Sequence, residues 1–192
     1  MTVRQNSLII HALVSALALF ALFAPAAKAG NTMVGGAEMM PSMTIVENAS
    51  NSADHTTLVA AVKAAGLVET LSGPGPFTVF APTNAAFDKL PKGTVEDLLK
   101  PGNKERLAEI LTCHVVAVDA MSPAIGRMIM DDGGMHPVRT VGGCVLTASI
   151  NPTNNALQLT DENGNVATVT IPDVDQSNGV VHVIDTVLLP KM

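Results

Sequence analysis

The chain has 192 residues, of which 47% are hydrophobic and only 3% aromatic, and it contains neither Trp nor Tyr. Eleven basic residues against seventeen acidic ones give a formal net charge of −6 at pH 7. This length suits one ordinary domain with a targeting segment. The acidic balance disfavours nucleic acid and anionic membrane surfaces as partners. The missing Trp and Tyr remove the commonest interface anchors and base-stacking platforms.

Residues 1–29 have the pattern of a secretory signal peptide. Arg4 supplies a positively charged start, Leu8 to Ala24 form an apolar run, and Ala27-Lys28-Ala29 is a small-x-small cleavage site. An uncleaved anchor is the alternative, because the apolar run approaches the length that crosses a bilayer. We predict cleavage and a secreted or periplasmic product with no later membrane span. Its net charge is −8, because two basic residues leave with the leader.

Residues 30–43 are predicted to form a flexible linker, because they are rich in Gly and Met and show little periodicity. Met39, Met40 and Met43 cluster in it. Thioethers select copper(I) among metal ions, so one interpretation is a soft-metal site. The other is an apolar tail that docks on the domain.

The segment that begins at Thr44 is predicted to be helical. Thr44-x-x-Glu47 is a capping-box pattern, although the element after it is short. Asp54 can cap a stronger helix over residues 56–65, which Gly66 ends.

Residues 77–87 are predicted to turn from strand to helix. The β-branched and aromatic run from Phe77 is typical of a buried strand. Pro82 ends it, because proline has no N–H for a sheet ladder. Thr83 or Asn84 can then cap a short helix that carries Phe87 inward.

The middle of the chain alternates between helix and strand. Helices are predicted from caps at Thr94 and Asn103, and a strand over Cys113 to Val118. Ser122-Pro123 begins a further helix that runs to Asp132. This region holds a second methionine group, for which either a soft-metal site or core packing is possible: Met121, Met128, Met130 and Met135-His136.

The remainder is β in character. Asn163-Gly164 between two alternating runs is typical of a hairpin turn, and Pro172 closes the strand after it. No internal repeat is found, so one domain is predicted. The predicted strands cover residues 136–141, 144–150, 156–160, 166–171, 180–184 and 186–189.

Two stretches, Phe77 to Phe87 (FTVFAPTNAAF) and Asn178 to Pro190 (NGVVHVIDTVLLP), resemble the two signatures of the fasciclin-like (FAS1) domain family. The resemblance extends over most of Thr44 to Pro190. It implies one α+β domain over residues 44–192, with N-terminal helices packed on a twisted antiparallel β wedge or sandwich. The family is a scaffold for adhesion and recognition, not for one chemistry.

The resemblance also implies partner-binding residues. Animal members carry a Tyr-His pair and an Asp-Ile pair linked to integrin adhesion, where this chain has Cys113-His114 and Asp173-Val174. His114, Asp173 and Val174 are therefore the predicted partner-binding residues, and the aromatic member of the Tyr-His pair is replaced by Cys113. The structural alternative is a buried His, a loop Asp that satisfies a turn, and a Val that packs.

Cys113 and Cys144 are predicted to form a disulfide, because an exported chain with an even number of cysteines meets an oxidising environment. Such a bond would stabilise the fold by roughly 3 kcal/mol. The alternative is two buried free thiols that act as small hydrophobes.

Catalytic and cofactor patterns are missing from the sequence. It has no nucleophile elbow, no zinc-protease helix, no Walker loop and no dinucleotide fingerprint. Runs that begin at Asp161 and Asp173 imitate a calcium loop but lack its Gly and its last acidic ligand. No metal and no cofactor are therefore predicted.

The predicted function is non-enzymatic. We expect a secreted or periplasmic adhesion or recognition module that binds a cell-surface or matrix protein or polysaccharide. Periplasmic copper binding through the Met clusters with His114 and His136 is the alternative. A small-molecule carrier is a third possibility.

Overall fold

A computed structural model describes residues 31–191, so the predicted signal peptide lies outside the described residues. The helices are α1 (Ile45–Asn51), α2 (Thr56–Ala65), α3 (Val68–Ser72), α4 (Asn84–Phe87), α5 (Thr94–Leu98), α6 (Lys104–Thr112) and α7 (Ser122–Asp131). The strands are β1 (Met33–Val34), β2 (Ala37–Glu38), β3 (Phe77–Pro82), β4 (Val115–Val116), β5 (Met135–Arg139), β6 (Val145–Ile150), β7 (Leu157–Thr160), β8 (Val166–Gln176) and β9 (Gly179–Ile184).

Local side-chain chemistry explains where several helices begin and end. The Thr44 hydroxyl accepts from the Glu47 N–H, and the Glu47 carboxylate accepts from the Thr44 N–H at 2.7 Å, which completes the capping box. The Thr83 hydroxyl accepts from the Ala86 N–H and caps α4. Gly66 ends α2 in the left-handed conformation, as the sequence pattern predicts.

The main sheet has seven strands in the order β4-β3-β9-β8-β7-β6-β5. It is mixed: strands β5 to β9 form the antiparallel part predicted for the second half of the chain, and β3 adds one parallel pair. β3 runs parallel to β9, from the pair Phe77 and Gly179 to the pair Pro82 and Ile184, whereas the other neighbouring strands are antiparallel. Side-chain alternation shows which face of a strand is buried but carries no information on strand direction, so the sequence pattern could not decide this pairing.

The two signature stretches meet in this parallel pair. Gly179 lies so close to β3 that a Cβ atom there would collide with the Phe77 carbonyl. A positive φ of 151° adds a second reason for glycine at this position. The resemblance in sequence therefore marks two central strands that pair with each other.

β3 separates two hydrophobic clusters. Val79 and Ala81 face the first cluster, between the sheet and helices α2, α3 and α6. Phe80 faces the second, which α7 and strands β6 to β8 form on the other side. Both faces of the strand are therefore buried. The α+β class is confirmed, with helices packed on a nearly closed sheet.

The two edges of the sheet meet at a seam. The N–H of Val141, just after β5, donates to the Val115 carbonyl of β4 at 2.7 Å. The N–H of Gly142 donates to the Thr112 carbonyl at 3.0 Å. Beside these bonds, a disulfide joins Cys113 to Cys144, whose Cα atoms lie 5.4 Å apart, a separation that such a bond requires. The disulfide therefore links the region of edge strand β4 to the region of the opposite edge strand, β5.

Residues 33–38 form a β-hairpin where the sequence predicts a flexible linker. Gly35 and Gly36 both have positive φ in its two-residue turn, which is the geometry that a Gly-Gly turn favours. Val34 and Met39 are buried in a third cluster with Val183. The Gly35 carbonyl also accepts from the Ala53 N–H at 3.1 Å. Each strand has only two residues, which are too few to show an alternating pattern in the sequence. The hairpin is ordered because Val34 and Met39 are buried against the domain.

Candidate interaction site

Asp173 lies in an irregular part of β8, where the register with β9 shifts between Ile171 and Val174. Its φ is 57°, a left-handed conformation that Asp tolerates better than most residues. Pro172 fits in this irregular part without costing a ladder hydrogen bond. The strand therefore continues to Gln176, which corrects the prediction that Pro172 closes it.

The Asp173 carboxylate caps the first turn of α7. It accepts from the Ser122 backbone N–H at 2.6 Å and also from the Ser122 hydroxyl. An anionic side chain at a helix N-terminus is favoured by the unpaired N–H groups and by the helix dipole. Asp173 thus fixes α7 against the irregular part of β8.

His182 supports Asp173 from inside the domain. Its Nδ1 accepts from the Asp173 N–H at 3.1 Å, and its Nε2 donates to the Ala120 carbonyl at 2.9 Å. Burial lowers the pKa of His182, which agrees with a neutral ring in this bonding pattern. The ring also stacks on Phe80, with centroids 5.7 Å apart. His182 is a satisfied structural histidine.

Val174 is only 1% exposed and packs in the third cluster, beneath the N-terminal hairpin. The Asp173-Val174 pair therefore presents a helix cap and a core side chain. The two neighbouring side chains therefore have different structural roles. Their role in partner binding stays a prediction from the resemblance.

His114 is 2% exposed and links three parts of the fold. Its Nδ1 donates to the Ile110 carbonyl of α6 at 2.8 Å, and its Nε2 accepts from the Leu188 N–H at 2.9 Å. Burial lowers the pKa of His114 to about 4. Both ring nitrogens are used internally, so the side chain offers no polar atom to a partner at the surface.

Acidification is expected to destabilise the fold through His114. The unfolded imidazole binds a proton near pH 6.5, whereas the folded one does so only near pH 4. The unfolded state therefore binds more protons within that window, and stability falls as the pH is lowered through it. The interval between the two pKa values corresponds to about 3 kcal/mol. Burial also lowers the pKa values of His55 and His182, which act in the same direction.

Urea titrations of the wild type and His114→Gln at several pH values between the two pKa values test this expectation. The variant should be less stable at neutral pH, because it loses one of two buried hydrogen bonds. It should also lose less stability on acidification than the wild type. Equal pH dependence of the two proteins would show that His114 does not carry the effect.

A groove of about 470 Å³ lies beside the Asp173 cap. Its wall on one side is the exposed face of α7, where Gly126 has no side chain and Met130 is 70% exposed. No charged side chain lines it. The other lining residues are Ser122, Pro123, Ile150, Asn155, Ala156, Leu157, Val169 and Pro172.

The sequence pattern does not predict this groove, because it is assembled from α7, the turn between β6 and β7, and β8. Only Asp173 is near it among the predicted partner-binding residues. Gly126 within a helix is the one hint in the sequence, because glycine is unfavourable inside a helix and suggests a packing or functional reason there. Here a Cβ atom at Gly126 would meet nothing within 4 Å, so the glycine leaves open space.

The methionines of the predicted copper site do not share one surface. Met39 is buried under the hairpin, whereas Met40 and Met43 are partly exposed. Met40 accepts through sulfur from the Asn31 amide at 3.1 Å. A site that needs all three thioethers would require the hairpin to open. Within residues 31–191, no group of three or more His, Cys, Asp or Glu side chains could hold a metal ion.

The second Met group is spread along α7, with Met121 just before its first residue and Met130, Met135 and His136 around its end. His136 donates through its Nδ1–H to the Asp132 carboxylate at 2.7 Å, and Met130 and Met135 are exposed. In the part of the chain that the structure describes, none of the helices has the length and apolar character needed to cross a membrane.

The chain forms an α+β domain in which Asp173, His114 and His182 make hydrogen bonds that hold the fold together. The fasciclin domain model matches residues 53–190, and the chain belongs to the fasciclin domain family. Protein sll1483 of Synechocystis sp. is 47% identical to it over 162 residues, which cover 84% of this chain and 82% of that protein.

Two further proteins are similar over most of the domain. The cell surface glycolipoprotein MPB83 of Mycobacterium bovis is 37% identical over 147 residues, which cover 74% of this chain and 58% of that protein. A solved structure of a FAS1 domain pair from the insect cell adhesion molecule Fasciclin I superposes with a TM-score of 0.67 at 18% identity. The match covers 77% of this chain and 51% of that one, and it shows the fold.

Proposed function

We propose that this protein is an exported, non-enzymatic adhesion or recognition module. Two of the similar proteins are named as a cell surface glycolipoprotein and a cell adhesion molecule. The signal-peptide pattern of residues 1–29 supports export. Two of the three buried histidines in residues 31–191, His114 and His182, are bonded at both ring nitrogens, which leaves neither of these two free to act as a general base.

The groove beside Asp173 is the proposed contact for a protein partner, and it is the observation that carries this proposal. It is concave and lined mainly by apolar groups, and such a groove suits an apolar anchor from a protein partner. Met130, at its rim, has a flexible thioether side chain of the kind that adapts to different partners. Asp173 positions one wall of the groove by holding the N-terminus of α7.

Filling the groove tests the proposal. Gly126→Met places a side chain in open space at a non-strained helical position, and it replaces glycine by a better helix former. We expect the melting temperature to stay level or rise, while binding to a partner captured from the cell envelope falls at least tenfold. Gly102→Met is the matched control, because a Cβ atom there also meets nothing within 4 Å and the position lies outside the groove.

Envelope material should be passed over the immobilised wild type, Gly126→Met and Gly102→Met proteins side by side. The proposal would be supported by a partner that binds saturably to the wild type and to the Gly102→Met control but does not bind to Gly126→Met. Equal retention by all three proteins would refute the role of the groove. Turnover of a bound substrate by the purified protein would refute the non-enzymatic function.

A further inference from the structure

Strands β5 to β8 present a second surface, which faces away from the hydrophobic clusters. We call it the hydroxyl face: it consists of the outward residues of these strands. Burial alternates along β6 and β7, with Leu146, Ala148 and Leu159 on the inner side. The hydroxyl face comprises Met135, Pro137, Arg139, Val145, Thr147, Ser149, Gln158, Thr160, Val166, Thr168 and Thr170.

The strand register places eight of these side chains in two rows across the sheet. One row contains Thr147 opposite Thr160, and the next contains Ser149 opposite Gln158, which in turn lies opposite Thr168. Neighbouring strands lie about 4.8 Å apart. The rows therefore offer polar groups at a regular spacing on a continuous surface.

Three hydroxyl groups in the rows are not used by the fold. Gln158 donates to the Thr168 hydroxyl at 3.3 Å, but the hydroxyls of Thr147, Ser149 and Thr160 have no protein partner within residues 31–191. Each hydroxyl can donate one hydrogen bond and accept two. A ligand on this face would thus find donors and acceptors already fixed on rigid strands.

The middle of the hydroxyl face carries no charge, although the chain has seventeen acidic residues. Arg139 stands at its edge. Glu162 and Asp185 are at its rim, where they accept from the backbone N–H groups of Val145 at 3.4 Å and Thr168 at 2.8 Å. A charged ligand would find no counter-charge in the centre, so the face suits a neutral one.

We propose that the hydroxyl face binds a neutral, hydroxyl-rich polysaccharide. The sugar hydroxyls would bond to Thr147, Ser149 and Thr160, and apolar side chains at the two ends, Met135 and Val166, would contact the C–H faces of the sugars. The buried core of a protein interface is typically more apolar than this face and enriched in aromatic residues. This site is separate from the groove and does not depend on the function proposed for it.

Retention on neutral polysaccharides tests the inference. The purified protein should be retained on at least one of cellulose, a β-1,3-glucan and dextran, and raising the salt concentration should not weaken it, because no ion pairs are involved. The double variant Thr147→Val/Thr160→Val removes two hydroxyls and keeps β-branched side chains suited to strands. We expect it to bind at least about tenfold more weakly, with an unchanged melting temperature.

Thr70→Val on helix α3 is the matched control and should bind like the wild type, as should the groove variant Gly126→Met. Ser149→Ala gives a second, independent removal of a hydroxyl. The inference is overturned if none of the three polysaccharides retains the wild type, or if the double variant is retained equally. The wild type could instead form a dimer that the double variant abolishes and show no retention on polysaccharide. That result would overturn the inference and identify this face as an interface between two copies of the chain.

Discussion

Replacing Phe80 by Ala is expected to lower the free energy of unfolding by about 3–5 kcal/mol. Phe80 is 1% exposed and packs in the cluster between β3, α7 and strands β6 to β8. Its ring also stacks on His182, which holds the Asp173 backbone. Removing the ring leaves a cavity that this packed sheet cannot close. Urea unfolding followed by circular dichroism gives the measurement.

Phe77→Ala is the matched control for this substitution. Phe77 lies at the start of the same strand but is only partly buried at the margin of the first cluster, so a smaller loss is expected. The result also tests the interpretation of the signature stretch as a folding element. A Phe80→Ala protein that melts like the wild type but no longer binds its partner would contradict that interpretation.

Removal of the disulfide is expected to cost about 3–4 kcal/mol, the loop-closure value for a sequence separation of 31 residues. The bond lies at the seam where β4 and the segment after β5 meet. Without it, the unfolded chain gains freedom and the seam depends on its hydrogen bonds alone. Cys113→Ala/Cys144→Ala is the suitable variant, because both sites are buried and a Ser would leave a hydroxyl without a partner.

The urea midpoint of this double variant, compared with that of the wild type under oxidising conditions, measures the effect. Alkylation followed by mass spectrometry provides the control. Native protein should take up no label and should take up two labels only after reduction and unfolding. Two alkylated thiols in the untreated native protein would contradict the pairing, and a loss below about 1 kcal/mol would contradict its expected contribution.

Elements with a local physical cause could be predicted from the sequence. The capping box at Thr44 and the end of helix α2 at Gly66 follow from contacts within a few residues. The strand that begins at Phe77 follows from a local run of β-branched and aromatic residues. Caps, left-handed glycines and proline act on the nearest turn of the chain, so the pattern that specifies them is short. The hairpin at Gly35 is the exception, because its strands are too short for a visible alternation.

The roles of the predicted site residues depended on contacts that are distant in sequence. Asp173 reaches Ser122, and His114 reaches Leu188. A loop Asp and a strand His look the same in sequence whether they face a partner or the interior. Only the packing shows that one caps a helix and the other bridges α6 and the C-terminal segment.

The sequence by itself indicated the family, through the resemblance of two stretches to the family's signatures. It also determined the α+β class and the position of both signature strands, because hydrophobic patterns and local caps depend on residues that are close together in the sequence. The tertiary structure alone decided that β3 and β9 run parallel, that the sheet nearly closes at Cys113 and Cys144, and that α7 and β8 enclose a groove. These features arise from surfaces brought together across many residues. Their free energy comes from burial and from hydrogen bonds that no local pattern encodes.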